Sequence, residues 1–317
     1  MMSRVVLLAL YLLVFLGCMG DRARVTDDLS DAGSADTAGE HRGVIQVGDR
    51  AREYLYVVPE SYDGLHPHGL IFAFHGGGGT GEGFRGVGLE AAAGEHHSVI
   101  VYPESAEGRW NDGRGTAAAD VDDVAFVRAL LDLLEEELLI DQERIFATGA
   151  SNGGMFSHRL ACEVDHFVAV APVIAALPSA VKETCAPAGP VSVLAIQGTE
   201  DEFITFEGGD AAHDRFPRLG EGGDIESAES TRRFWAETNG CESEVDAQEL
   251  PPVSDSDSTR VLFYEHQECS GGARVEYYVV EGMGHAWPPL EPTAPRVSGS
   301  TSGQINATDV IWAFFTR

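Results

Sequence analysis

A serine, a carboxylate and a histidine follow one another along this chain in settings that suit nucleophilic acyl chemistry. Ser151 lies in Gly149-Ala150-Ser151-Asn152-Gly153, after the apolar run Ile145 to Thr148 and before Met155 to Ala161, which reads as a helix. Strand, G-x-S-x-G and helix make a tight corner that holds a serine hydroxyl out at the positive end of a helix. The corner leaves no room for side chains at its flanks, so Gly149 and Gly153 let strand and helix approach. The backbone N–H of Asn152 is then left to face a developing oxyanion. A Gly-rich strand-to-helix connection with no chemistry has the same pentapeptide, so the surroundings decide.

Downstream, the apolar run Pro190 to Ile196 leads into Gln197-Gly198-Thr199-Glu200-Asp201. A carboxylate just past a buried strand is placed to orient an imidazole. Glu200, Glu202 and Glu207 compete for that role. Asp201 is preferred because a short side chain on a loop is easier to fix, and the bland alternative is an acidic surface. The histidine comes later: Arg274 to Val280 reads as a strand and ends in Gly282-Met283-Gly284-His285-Ala286-Trp287-Pro288-Pro289. His285, between glycines and an aromatic-proline turn, is the expected general base.

A second oxyanion donor is expected from the loop after Leu70 to Phe74. That continuous apolar run has the character of a central parallel strand and ends in His75-Gly76-Gly77-Gly78-Gly79-Thr80. The loop lacks the Lys-Ser/Thr ending of a phosphate loop. Gly77 or Gly78 is the expected donor, and His75 is expected to anchor the loop rather than act as a base. Asp122 and Asp123 open a helix expected over 120–139. There they suit the helix dipole better than a metal site or a general base.

The elements that must position these groups alternate. Strands are expected at Val44–Val47, Arg52–Val58, Leu70–Phe74, Ser98–Tyr102 and Ile145–Thr148, then at Phe167–Ala171 (ended by Pro172), Pro190–Ile196 and Arg274–Val280. Helices are expected after the serine, at 227–239 and at 307–315. Asp210 to Asp224 reads as an irregular rim or lid, and Cys241 to Arg260 as a polar surface excursion. Alternating strands and helices predict an α/β fold, a mostly parallel central sheet with helices on both faces.

Composition narrows the partners. The chain has 317 residues and a formal net charge of −30, with no Lys/Arg cluster, so nucleic acid is not an expected partner. Met1-Met2-Ser3-Arg4 followed by apolar Val5 to Leu16 reads as a secretory signal over 1–18, too short for a permanent span. Phe15-Leu16-Gly17-Cys18 resembles a bacterial lipobox, so Cys18 is a candidate for lipidation and membrane anchoring, against an ordinary cleavable signal. Residues 19–42 read as a flexible acidic tether and 43–317 as the folded domain. Cys162, Cys185, Cys241 and Cys269 are an even set in an exported chain, which suggests disulfides; the sequential pairing Cys162–Cys185 and Cys241–Cys269 is preferred among the three possible. No C-x-x-C spacing supports a zinc site.

Ser151, then Asp201, then His285 is the chain order of the α/β-hydrolase fold. Such a triad cleaves an ester through an acyl-enzyme and requires no metal or organic cofactor. Further segments carry a resemblance: Asp122-Asp123-Val124 with Phe126, Gly198-Thr199-Glu200-Asp201, Phe206-Glu207-Gly208-Gly209, Trp235 with Asn239-Gly240-Cys241, and Gly284-His285-Ala286-Trp287-Pro288. With the elbow and the His75-Gly76 loop, they resemble the secreted polyhydroxybutyrate-depolymerase-like esterases, which are similar to the feruloyl and acetylxylan esterases of carbohydrate esterase family 1. The resemblance implies the triad Ser151, Asp201 and His285, the same two disulfides, and an ester of a polyester oligomer or of plant polysaccharide as substrate. Substrate walls are expected around Trp110, Asp210–Asp224 and Pro288–Arg296, with Trp110 and Trp287 as contacts. Two features depart from the pattern: the all-glycine loop after His75-Gly76, and Gln197 where a histidine is common. A peptidase on the same fold and a non-catalytic, lipid-anchored polymer-binding protein are the rival readings.

Overall fold

Strand β3 (His68–Phe74) is buried along its whole length, and its side chains divide between two cores. Leu70, Phe72 and Phe74 enter one core, Ile71 and Ala73 the other, as a period of two requires of a strand covered on both faces. The computed structural model describes residues 37–116, 118–211, 222–242, 245–292 and 298–317. The expected signal, Cys18 and the tether up to residue 36 lie outside the described residues.

In chain order, β1 (Gly39–Val47) and β2 (Arg50–Val58) form a hairpin ahead of β3. Then come α1 (Gly81–Phe84), α2 (Glu90–Ala93), β4 (Ser98–Pro103), α3 (Asp123–Glu137), β5 (Ile140–Ala150) and α4 (Asn152–Glu163). Next are β6 (Ala169–Val173), α5 (Ser179–Thr184), β7 (Ser192–Gly198) and the two-residue pair β8 (Gly209–Asp210) and β9 (Asp224–Ile225). The chain closes with α6 (Ala228–Thr238), β10 (Gln248–Glu249), β11 (Arg260–His266), β12 (Val275–Glu281) and α7 (Ala307–Phe315).

Ten strands form one sheet in the order β1-β2-β4-β3-β5-β6-β7-β12-β11-β10. The run from β4 to β12 is parallel, and antiparallel strands extend it at both edges. Val127 and Leu131 of α3, Phe156 of α4 and Trp235 of α6 fill one face; Leu89, and Ile311 and Phe314 of α7, fill the other. Each such side chain, taken fully from water, contributes about 1.5–3 kcal/mol. This is the doubly covered α/β sheet expected from the sequence, and it sends the C-terminal ends of β3, β5, β7 and β12 to one rim.

Several boundaries differ from expectation. Strand β1 begins at Gly39, inside the stretch read as tether. Its polar residues pair at a sheet edge: His41 stacks on Tyr56 at 4.8 Å, and Arg42 bridges Glu40 and Glu82. Helix α3 begins at Asp123 because the Asp122 side chain caps it, accepting from Ala125 N–H at 2.9 Å. Pro172 lies within β6 rather than ending it, and the β6–β7 ladder has a gap between Val170 and Val173 that accommodates the missing N–H. Strand β11 was not anticipated; its Arg-Val-Leu-Phe-Tyr-Glu-His sequence gains stability by pairing along β12. The disulfides Cys162–Cys185 and Cys241–Cys269 are both present as expected.

Candidate active site

Ser151 adopts φ 55° and ψ −122°, a conformation that non-glycine residues rarely hold. The corner is fixed from several sides. A Cβ on Gly149 would lie 2.6 Å from the Gly153 carbonyl carbon, and one on Gly153 would lie 2.3 Å from Phe74 O, so neither position admits a side chain. Ser151 N–H donates to Val173 O at 3.0 Å, and Ser151 O accepts from Met155 N–H at 2.9 Å, which starts α4. The glycine loop after β3 runs alongside: a Cβ on Gly76 would sit 3.6 Å from Ser151 Cβ.

Asp201 and His285 meet two strands away. Asp201 Oδ2 accepts from His285 Nδ1 at 2.7 Å, while Asp201 Oδ1 accepts the Phe203 and Ile204 N–H groups at 2.8 and 2.9 Å. The carboxylate is therefore clamped by backbone on one oxygen and offers the other to the imidazole. Their loops are tied together, with Glu200 N–H on Met283 O at 2.9 Å and His285 N–H on Ser298 O at 2.6 Å. Phe203 packs on the imidazole, its ring centre 5.1 Å away. Glu200, Glu202 and Glu207 point to solvent, so among the four acids only Asp201 faces the histidine. Gln197 is buried and accepts from Tyr277 O–H at 2.6 Å, a packing role inside the sheet.

The other expected residues divide. His75 is buried; its Nδ1–H donates to Gly76 O at 2.8 Å and Nε2 accepts from Ser105 N–H at 3.4 Å. It anchors the loop. Gly78 does not suit an oxyanion, because its N–H already donates to Gly108 O at 2.7 Å. Gly77 remains as the loop's candidate donor, with Asn152 at the first turn of α4. Asp123 is more than a dipole partner: it forms a buried ion pair with Arg52 at 2.6 Å and accepts from Asn111 N–H at 2.7 Å. Burial pushes the Asp123 carboxyl up and the Arg52 guanidinium down.

Trp110 is not a substrate contact. It is fully buried, stacked on Phe156 at 5.4 Å and edge-on to Phe74 at 5.1 Å. Trp287 is buried too, 7% exposed, donating its indole N–H to Thr308 Oγ1 at 3.2 Å and packing on Phe84. Much of the expected substrate wall, 212–221 and 293–297, lies outside the described residues. The elbow motif gives no hint of the role of the Asn152 side chain, which donates to Trp110 O at 2.9 Å and to Asp112 Oδ2 at 2.6 Å and accepts from Trp110 N–H at 2.7 Å. Its only signal was the Trp110-Asn111-Asp112-Gly113 run itself.

Fold and rim together define an α/β-hydrolase. No protein-family model matches the chain. NocK, a Nocardia uniformis subsp. tsuyamanensis protein named as an esterase, is 33% identical over 288 residues, covering 87% of this chain and 82% of that protein. A protein named Probable feruloyl esterase C from Aspergillus niger is 32% identical over 218 residues, 64% of this chain and 75% of that one. The solved acetyl xylan esterase of Aspergillus awamori shares the fold, with a TM-score of 0.54 at 13% identity over 92% of this chain and 98% of that chain. The chain belongs to the feruloyl-esterase-type family of α/β-hydrolases and is a carboxylic ester hydrolase.

Proposed function

We propose that this esterase works through a Ser151–His285–Asp201 triad on feruloyl or acetyl esters of plant polysaccharide. The observation that carries the reading is the 2.7 Å contact between His285 Nδ1 and Asp201 Oδ2 on the rim where Ser151 occupies its strained corner. His285 Nε2 takes the Ser151 proton as Oγ attacks the ester carbonyl. The Asn152 and Gly77 N–H groups receive the oxyanion, and the imidazolium, held by Asp201, protonates the leaving alcohol. Water then repeats the attack on the acyl-enzyme, and the acid departs. The names of the feruloyl esterase relatives support an aromatic ester over a hydroxybutyrate oligomer as the substrate of this chain.

The enzyme acts outside the cytoplasm, tethered through a lipid on Cys18. Two disulfides support an oxidising compartment, and among the described residues no helix is long and apolar enough to cross a membrane. Membrane fractionation of Cys18→Ala tests the tether: an unchanged membrane fraction overturns it. The activity is tested with purified protein and its Ser151→Ala variant on p-nitrophenyl acetate, methyl ferulate, acetylated xylan and hydroxybutyrate oligomers. Expected is serine-dependent turnover with methyl ferulate or acetylated xylan ahead. Activity that survives Ser151→Ala overturns the mechanism, and hydroxybutyrate oligomers as best substrate overturn the substrate class.

A further inference from the structure

The two candidate oxyanion donors lie on different elements. Asn152 opens α4 beyond β5, and Gly77 follows β3. Their N–H groups must converge on one oxygen at about 2.7–3.1 Å, and an error near 1 Å in such a site costs on the order of 100-fold in rate. Something has to fix one loop against the other.

We infer that Trp110 is that positioning residue, a brace that spans the oxyanion hole from behind. The inference rests on the donor assignment proposed above. The indole N–H of Trp110 donates to His75 O at 2.9 Å, one residue before Gly76-Gly77. The backbone of the same residue holds the Asn152 amide twice, Trp110 N–H to Oδ1 at 2.7 Å and Nδ2 to Trp110 O at 2.9 Å. One fully buried residue thus grips the elements behind both donors. Its ring repeats the pattern, stacking on Phe156 of α4 with an interplanar angle of 4° and meeting Phe74 of β3 edge-on.

The neighbouring residues reinforce the span. Gly108 O holds the Gly78 N–H at 2.7 Å. Asp112, with no exposed side-chain surface, accepts from Asn152 Nδ2 at 2.6 Å and pairs with Arg114 at 2.8 Å. A buried ion pair is poor value as plain stability, and it suits a role in fixing geometry. The Ser151 backbone, at φ 55°, persists only where its surroundings over-determine it, and Asn152 is the next residue. Trp110 touches no substrate in this scheme. It acts through the two N–H groups, so its removal must damage the transition state and spare the ground state.

The test uses the full chain carrying Trp110→Phe, which keeps an aromatic ring and deletes the N–H to His75 O. With p-nitrophenyl acetate, kcat is expected to fall by about 10- to 100-fold while KM stays within about twofold. Affinity for a trifluoromethyl ketone, whose serine adduct places an oxyanion in the hole, is expected to fall in step with kcat. Affinity for ferulate, which makes no such adduct, is expected to hold. The near-isosteric Asp112→Asn variant keeps the backbone donors, loosens the brace and carries the same split should Trp110→Phe not fold. Unchanged kcat, or equal losses for ketone and ferulate, reduces Trp110 to core packing and overturns the inference. Ser151→Ala in the same assay separates the two readings. Residual turnover there sinks the serine mechanism, whereas full serine dependence with an intact Trp110→Phe enzyme sinks the brace alone.

Discussion

His75 and His285 make an instructive pair. Each follows the C-terminal end of a parallel strand, each lies next to glycine, and those strand ends belong to the rim that carries Ser151. Their partners differ. His75 has a side chain 2% exposed, with one nitrogen on Gly76 O and the other on Ser105 N–H. Because a carbonyl only accepts, Nδ1 carries a proton, and burial lowers the pKa of the ring, which favours its neutral form. His285 has a side chain 15% exposed and gives Nδ1 to a carboxylate. Glu104 Oε1 lies 3.6 Å from His75 Nε2, beyond hydrogen-bond reach, so the hydrogen bonds of His75 go to backbone and hold the ring still, whereas the carboxylate hydrogen-bonded to His285 readies it to become positive. The largest expected effect follows: His285→Ala lowers kcat/KM for methyl ferulate by about 10⁴-fold or more. His75→Asn is expected to cost at most about tenfold, through a loosened glycine loop. Equal losses in the two variants would erase the distinction.

The carboxylates repeat the contrast. Asp201 and Asp123 are both buried, but one is turned to a histidine on the rim and the other to Arg52 beneath it. Asp201→Asn presents the wrong partner to Nδ1 and is expected to lower kcat by about 10⁴-fold with little change in folding. Asp123→Asn strands the Arg52 charge, which sits over the Phe126 ring at 4.1 Å with 2% of its side chain exposed. That variant is expected to lose about 3–5 kcal/mol in urea unfolding, while the folded fraction keeps kcat within a few-fold. A stable but inactive Asp123→Asn enzyme would make Asp123 part of the chemistry after all.

These contrasts mark what the sequence could reveal. The central strands were legible because Leu70 to Phe74 and Val193 to Ile196 are buried on both sides and read as continuous apolar runs. The elbow was legible because Gly149 and Gly153 each meet backbone within 3 Å of a would-be Cβ, which leaves composition little choice. Edge strands were less so. The polar Gly39–Arg42 segment belongs to a strand through its pairing with β2 and its ion pairs, and neither is a local property. The packing of Trp110 and the ion pair of Asp123 are hidden from the sequence for a related reason. An aromatic residue near a Gly-rich loop resembles a substrate contact until its ring is seen between Phe74 and Phe156. Asp123 does stand in the first turn of α3 as a dipole partner, but its pairing with Arg52, 71 residues away, is not a local property. Residue type reports the chemistry a side chain can do, and long-range packing decides whether it meets substrate.

The smallest effect concerns a third histidine. His158 is buried on α4, stacked on Trp235, and its Nδ1 accepts from the Trp235 indole N–H at 3.0 Å. The proton is therefore on Nε2, which is buried with no hydrogen-bond partner among the described residues. Burial drops its pKa from 6.5 to about 3. The unfolded chain binds a proton at this position as pH falls below 6.5, and the folded chain does not until about pH 3. Over that window the unfolded state holds more protons, so acid favours unfolding by about 1.4 kcal/mol per pH unit from this group alone, and the full stability is present above it. His158→Gln keeps an acceptor for Trp235 and removes the titration. Between pH 7 and pH 5 the variant is therefore expected to lose about 2 kcal/mol less than the parent in urea unfolding. A variant that declines as steeply as the parent would shift the acid sensitivity away from α4 to His68 and His75, whose pKa values burial also lowers.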